Sequence, residues 1–150
     1  MWSSATTSYQ INKCVVVARM LSGRFRCGSL LQHFSPTCSG ICELCDQELE
    51  DLPHILLPRC HRLQERRHDL LQFGRNTLSQ SPVALSIFER IFSSKDEYTI
   101  VQFLLDPSAV PEIIAANQND KTVLPLMFRV TTTWCYSLNR TRLKLLGRWT

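Results

Sequence analysis

Residues 42–60 read CELCDQELEDLPHILLPRC, and the ligand-type side chains in this stretch are Cys42, Cys45, His54 and Cys60. The spacing is C-x2-C, then eight residues to the histidine, then five to the last cysteine. Zinc takes four such ligands at the corners of a tetrahedron, and two thiolates separated by two residues fit a tight turn whose backbone amides point at the sulfurs. Asp51 is placed to cap a short helix, Pro53 is tolerated in its first turn, and His54 then projects from it. Pro58 breaks that helix, and Cys60 returns to the metal. The reading is a Cys3His set holding Zn2+. All four ligands lie within 19 residues, so closing the loop costs little.

Two other readings compete. A redox pair at Cys42 and Cys45 expects a strand before the motif and a helix directly after it, and needs neither His54 nor Cys60. Inert thiols packed in a core need no spacing at all. The fourth ligand is also open, because Cys38 lies four residues before Cys42 and His61 adjoins Cys60. Four protein ligands leave no open coordination position, which makes the site structural and not hydrolytic.

Outward from the motif the chain reads as helix. YQINKCVVVARML places Ile11, Cys14, Val15, Ala18 and Leu21 on one face at helical spacing, although its triple valine also suits a strand. GRFRCGSLLQHF reads as a shorter helix, and HRLQERRHDLLQF as a long one after Cys60. SPVALSIFERIF has Ser81 as N-cap and Pro82 at the first helical position. SKDEYTIVQFLL opens with a capping box of Ser94 and Glu97, and DPSAVPEIIAA with Asp106 as cap before Pro107. The last helix is expected from Asp120 to Leu146, with Met127, Val130, Trp134, Leu138 and Leu145 as its buried stripe, Trp149 packed near its end, and Gly147 stopping it. The expected architecture is mainly α: a single domain over 1–150, with a zinc-stabilised element in its N-terminal third, a zinc-binding region at 10–72 and a helical part at 73–150. Loss of zinc is expected to unfold 38–62 and to leave the later helices partly intact.

The chain has 150 residues, 44% of them hydrophobic and 20% charged, which is a globular composition. Its net charge is +4, unevenly spread: all 13 acids lie between residues 43 and 120, and both ends are purely basic. Basic ends around an acidic middle suggest a polyanion as partner. MWSSATTSYQ lacks the charged and apolar regions of a secretory signal, and no apolar run reaches the length of a membrane span. The seven cysteines are an odd number. The expectation is an intracellular protein, nuclear or cytoplasmic and not secreted, with thiols used for metal instead of disulfides.

The segment ARMLSGRFRCGSLLQHF, followed by CELCDQELEDLPHILLPRCHRLQERR, resembles the zinc-binding region that follows the polymerase domain in reverse transcriptases of non-LTR (LINE-type) retrotransposons. The likeness lies in a basic element with a glycine (Arg24, Arg26, Gly28), the C-x2-C pair, an acidic lead-in to the histidine (Glu50, Asp51, His54), a leucine-rich step and the final cysteine. It covers about residues 10–72, and the terminal TTTWCYSLNRTRLKLLGRW is similar to tails of such reading frames. The resemblance implies contact with RNA or DNA, either retroelement RNA or target DNA. It does not bring a polymerase, since no Asp-Asp dipeptide for a two-metal site occurs. Asp106 and Glu112 sit beside helix-start prolines as isolated carboxylates and carry no nuclease.

Arginine forks bind phosphate oxygens in pairs of bonds. Arg62, Arg66 and Arg67 on the helix after the metal site, with Arg19, Arg24 and Arg26 from the preceding segment, are therefore the candidate nucleic-acid-binding residues. The competing reading is a solvated charged face, with Glu65 and Asp69 paired to Arg62 and Arg66. His33, His61 and His68 are read as surface residues. The expected function is a non-catalytic zinc-binding nucleic-acid module. Its rivals are a zinc-stabilised domain with a protein partner, docking through 81–116, and a degenerate retroelement fragment without selected function.

Overall fold

The fold is assembled on one long helix, α8 (Val123–Leu145). Val123, Met127, Val130, Trp134 and Leu138 recur at intervals of three or four residues, so their side chains form one buried stripe. The stripe is continued by Arg142 and not by Leu145, which is 44% exposed. The helix starts three residues later than expected because the carboxylate of Asp120 accepts from the Thr122 amide and holds a turn there. It stops as expected. Gly147 takes φ +69° and donates to the Lys144 carbonyl, while Arg148 donates to Leu143, closing the helix end.

In this computed structural model, which describes residues 8–148, those residues form seven further α-helices, and all but the one-turn helix at 28–31 pack directly against that axis. They are α1 (Ser8–Leu21), α2 (Gly28–Leu31), α3 (Leu52–Leu56), α4 (Gln64–Leu78), α5 (Pro82–Ser93), α6 (Glu97–Leu105) and α7 (Pro111–Asn119). Trp149 lies outside the described residues. The molecule is mainly α, with the Cys3His set between α2 and α4. The described residues contain no strand, only one isolated antiparallel bridge between Ile41 and Leu49. No helix among them is long and apolar enough to cross a membrane.

Local signals were mostly honoured. The Ser81 hydroxyl accepts from the Ala84 amide at the start of α5, and Asp106 caps the 3-10 turn before α7. The Ser94–Glu97 capping box does not form. Ser94 closes α5 instead, donating to the Ile91 carbonyl, and Asp96 takes the N-cap position of α6. The buried face of α1 also differs: Cys14, Val16, Val17 and Met20 are buried, while Ile11 and Leu21 are about half exposed. Valine at three successive positions points apolar side chains in three directions around the helix, so its phase is set by the partner, α8, and not by its own pattern.

The core is shared between the two halves. Phe88, Phe92, Phe103 and Trp134 stack in its centre, and Cys42, Leu44, Ile55, Leu56, Leu57, Cys60 and Leu63 join the same buried cluster. The expected separable metal element is therefore built into the main core.

Candidate metal centre

Residues 41–49 form a hairpin-like knuckle. The Cys42 amide donates to the Glu48 carbonyl and the Asp46 amide to the Cys42 carbonyl, both at 2.8 Å. Asp46 has φ +55°, a left-handed conformation that aspartate tolerates better than most residues. The turn aims amides at the sulfurs: Leu44 and Cys45 at the Cys42 thiol, Gln47 and Glu48 at the Cys45 thiol. Asp51 accepts from the His54 amide at 2.8 Å and starts α3, with Pro53 in its first turn, as expected.

These elements bring Cys42, Cys45, His54 and Cys60 together, with ligand atoms all within 4.8 Å of one another. The Cys42 and Cys60 sulfurs are 3.9 Å apart, and the Cys45 sulfur is 3.4 Å from Nε2 of His54. A tetrahedral ion with metal–sulfur bonds near 2.3 Å and a metal–nitrogen bond near 2.0 Å requires about 3.8 and about 3.5 Å. The donor set and its spacing thus fit a metal ion. Nε2 faces the thiols, and Nδ1 lies 3.4 Å from Glu48, which fixes the ring by its outer nitrogen. Cys38 and His61 do not join the cluster.

Burial pushes the Cys42 thiol well above its ordinary value, against the pull of the Cys45 and Leu44 amides. Burial also opposes ionisation at Cys45, but the Gln47 and Glu48 amides outweigh it and hold that thiol low. A cation would bind the thiolate form of all three cysteines and so displace their protons.

A second layer locks the site to the bundle. Arg67 is 3% exposed, and its guanidinium donates to the carbonyls of His54, Ile55 and Cys60 at 2.7–3.2 Å. The Trp134 indole donates to the Leu56 carbonyl at 3.2 Å. The orphan carbonyls at the end of α3 are thereby satisfied by α4 and α8. Glu50 is gripped by Arg142 at 2.6 and 2.8 Å and accepts from the Gly28 amide at 2.8 Å. Gly28 admits no side chain, since a Cβ there would stand 2.5 Å from the Gly40 carbonyl oxygen. On the surface, Arg148 pairs with Glu43 of the knuckle.

The six expected nucleic-acid-binding arginines separate into three groups. Arg67 is a correction: it is buried beneath the metal site and presents nothing to solvent. Helix phase explains it, because position 67 follows Leu63 by four residues and falls on the buried face of α4 with Leu70. Arg62 and Arg66 are exposed, Arg62 reaching the Leu44 carbonyl and Arg66 the Ser137 hydroxyl and Asp69. Arg19, Arg24 and Arg26 are brought together on the wall of a groove between α1 and α8. His33, His61 and His68 are exposed. Reading the sequence placed Glu50 only in the acidic lead-in and missed its pairing with Arg142, as it missed Asn139; nothing local marks Glu50 in its acidic run and Arg142 in its basic tail as partners. Comparison with protein-family models, curated proteins and solved structures found no match.

Proposed function

We propose that this chain is a zinc-stabilised, non-catalytic module that binds nucleic acid, akin in its N-terminal half to the zinc-binding region of non-LTR retrotransposon reverse transcriptases. Zinc is favoured by the donors: three thiolates and an imidazole at tetrahedral spacing suit Zn2+ better than the octahedral, oxygen-seeking ions. A closed four-ligand site supports a structural role for the ion.

The observation that carries nucleic-acid binding is the state of the arginines. Arg59, Arg66, Arg75, Arg90, Arg142 and Arg148 all pair with carboxylates. Arg19, Arg24 and Arg26 are exposed and have no side-chain partner among the described residues, although the chain has acids to spare elsewhere. Uncompensated guanidinium groups gathered on one wall suit phosphate. The rival, a protein-docking face over 81–116, has less support. Ile87, Phe88, Ile91, Phe103, Leu104 and Ile113 of that segment are spent in the core.

The test has two arms. Native mass spectrometry of protein purified without added metal is expected to show one zinc per chain. Fluorescence anisotropy with RNA and DNA oligonucleotides is expected to give an affinity whose logarithm falls with log salt at a slope of about −2 to −5. Absence of binding to any polynucleotide at low salt would overturn the reading.

A further inference from the structure

A groove of about 780 Å³ runs between α1, the 22–26 turn and the C-terminal half of α8. It lies within the size range of ordinary small-ligand sites, about 300–1,000 Å³. Its walls and floor differ in kind. Arg19, Arg24 and Arg26, which have no side-chain partner among the described residues, line its walls together with the paired Arg142, and the Asn139 amide adds a donor and an acceptor. The floor is apolar: Val15, Ala18 and Leu143 are only half-buried there, and Phe25 closes it. The nearest buried carboxylate, Glu50, is already committed to Arg142 and the Gly28 amide, so it does not neutralise the wall.

An occupant must therefore carry several negative charges beside a flat or apolar group. A double helix offers the first without the second, because its base faces are stacked inside. A single strand offers both, with phosphates outside and an unstacked base free to cover the floor. We infer that the α1–α8 groove binds a single-stranded nucleic-acid segment, one base lying on the Val15–Ala18–Leu143 floor and the flanking phosphates held by Arg19, Arg24 and Arg26. This rests on the nucleic-acid reading above and gives it a place and a strand form. Asn139 is positioned to pair with the edge of the inserted base, which makes the groove tolerant of sequence outside that one position. Arg62 and Arg66 do not line the groove, so they extend the path of the strand or contribute only general attraction.

The experiment uses the zinc-loaded full chain with three fluorescent probes: a 12-nucleotide oligo-uridine, a 12-nucleotide oligo-thymidine and a blunt hairpin duplex of equal phosphate count. Single strands are expected to bind at least about tenfold tighter than the duplex, the worth of removing roughly 55 Å² of apolar floor from water. Ala18→Trp fills the groove without altering charge, and Leu143→Gln sets a neutral polar group on its floor. Either is expected to bring single-strand affinity down to that of the duplex and to leave duplex binding unchanged. Arg24→Ala with Arg26→Ala is expected to weaken every probe and to reduce the salt slope by about one or two units. Zinc content and thermal melting of each variant establish that it is folded, and the two groove variants stand in for one another should one not fold. Equal affinity for duplex and single strand, or undiminished single-strand binding in a folded groove variant, overturns the inference while leaving nucleic-acid binding intact. No binding of any probe by the wild type overturns both.

Discussion

Arg67 carries a charge that no carboxylate balances. Its partners are three carbonyls and, within Coulomb reach, the thiol groups of Cys60 and Cys42. Burial pulls the guanidinium down to about 10, which still leaves it charged at neutral pH. Three thiolates around a divalent ion would leave one net negative charge, and Arg67, buried within Coulomb reach of Cys60 and Cys42, is placed to offset it. Arg67→Leu is therefore expected to destabilise the metal-loaded protein by about 3 kcal/mol in urea unfolding, because three carbonyls lose their donors. Arg67→Lys should recover only part, since one ammonium cannot fork across carbonyls from two segments. A leucine variant as stable as the wild type would remove Arg67 from this role. At this scale the clustering of Cys42, Cys45, His54 and Cys60 was legible, because chelation by neighbours in sequence would impose such a spacing. The burial of Arg67 was not, because an arginine near a metal motif looks the same whether it faces solvent or core.

Helix ends were legible where one residue decides them. Asp51 caps α3 over a single turn, with no contribution needed from afar. Asp51→Ala is expected to cost about 1 kcal/mol in thermal or urea unfolding of the zinc-loaded protein. It should also loosen the orientation of His54, whose amide it holds; an unchanged melting curve would show that the metal alone orders this helix. Ser94 shows the limit of such signals. The same serine fits the end of α5 and the start of α6, and with Lys95 at φ +56° between the two helices the chain gives it to α5. The phase of α1 was likewise undecided locally, since three consecutive valines offer an apolar side chain to whichever face the neighbour fits.

For the molecule as a whole, the segment that carries the Cys3His cluster and the final helix share one core. Glu50, Trp134 and Arg142 tie them together, and both contribute to a single core. Removal of zinc by a chelator is thus expected to abolish most far-ultraviolet helicity in one transition, in place of the local unfolding of 38–62 that the spacing suggests. Retention of most of the helical signal would show that the core survives alone. The Glu50–Arg142 pair adds a pH dependence. Burial opposes the charge on Glu50, yet Arg142 and the Gly28 amide outweigh it and hold the carboxyl below its ordinary value. A depressed folded value gives stability that is present above the unfolded carboxylate range and is lost as pH falls through the folded value. Glu50→Gln is expected to flatten this acid limb relative to wild type when stability is followed by denaturation from pH 6 downward to about 3. Identical pH profiles would assign the acid sensitivity to other groups. The acidic middle and basic tail also prove to be partly each other's partners, through Glu50–Arg142 and Glu43–Arg148.

What the sequence by itself determined is local in origin: the helical class, most helix ends and the four clustered ligands, each set by spacing or by a residue within one turn. Tertiary structure alone decided which face of α1 is buried, that Arg67 lies inside, and that Arg142 serves Glu50 while Arg19, Arg24 and Arg26 find no side-chain partner among the described residues. The physical reason is that a charge is used up or left free only by what folds against it, and Glu50 and Arg142 meet across 92 residues of chain.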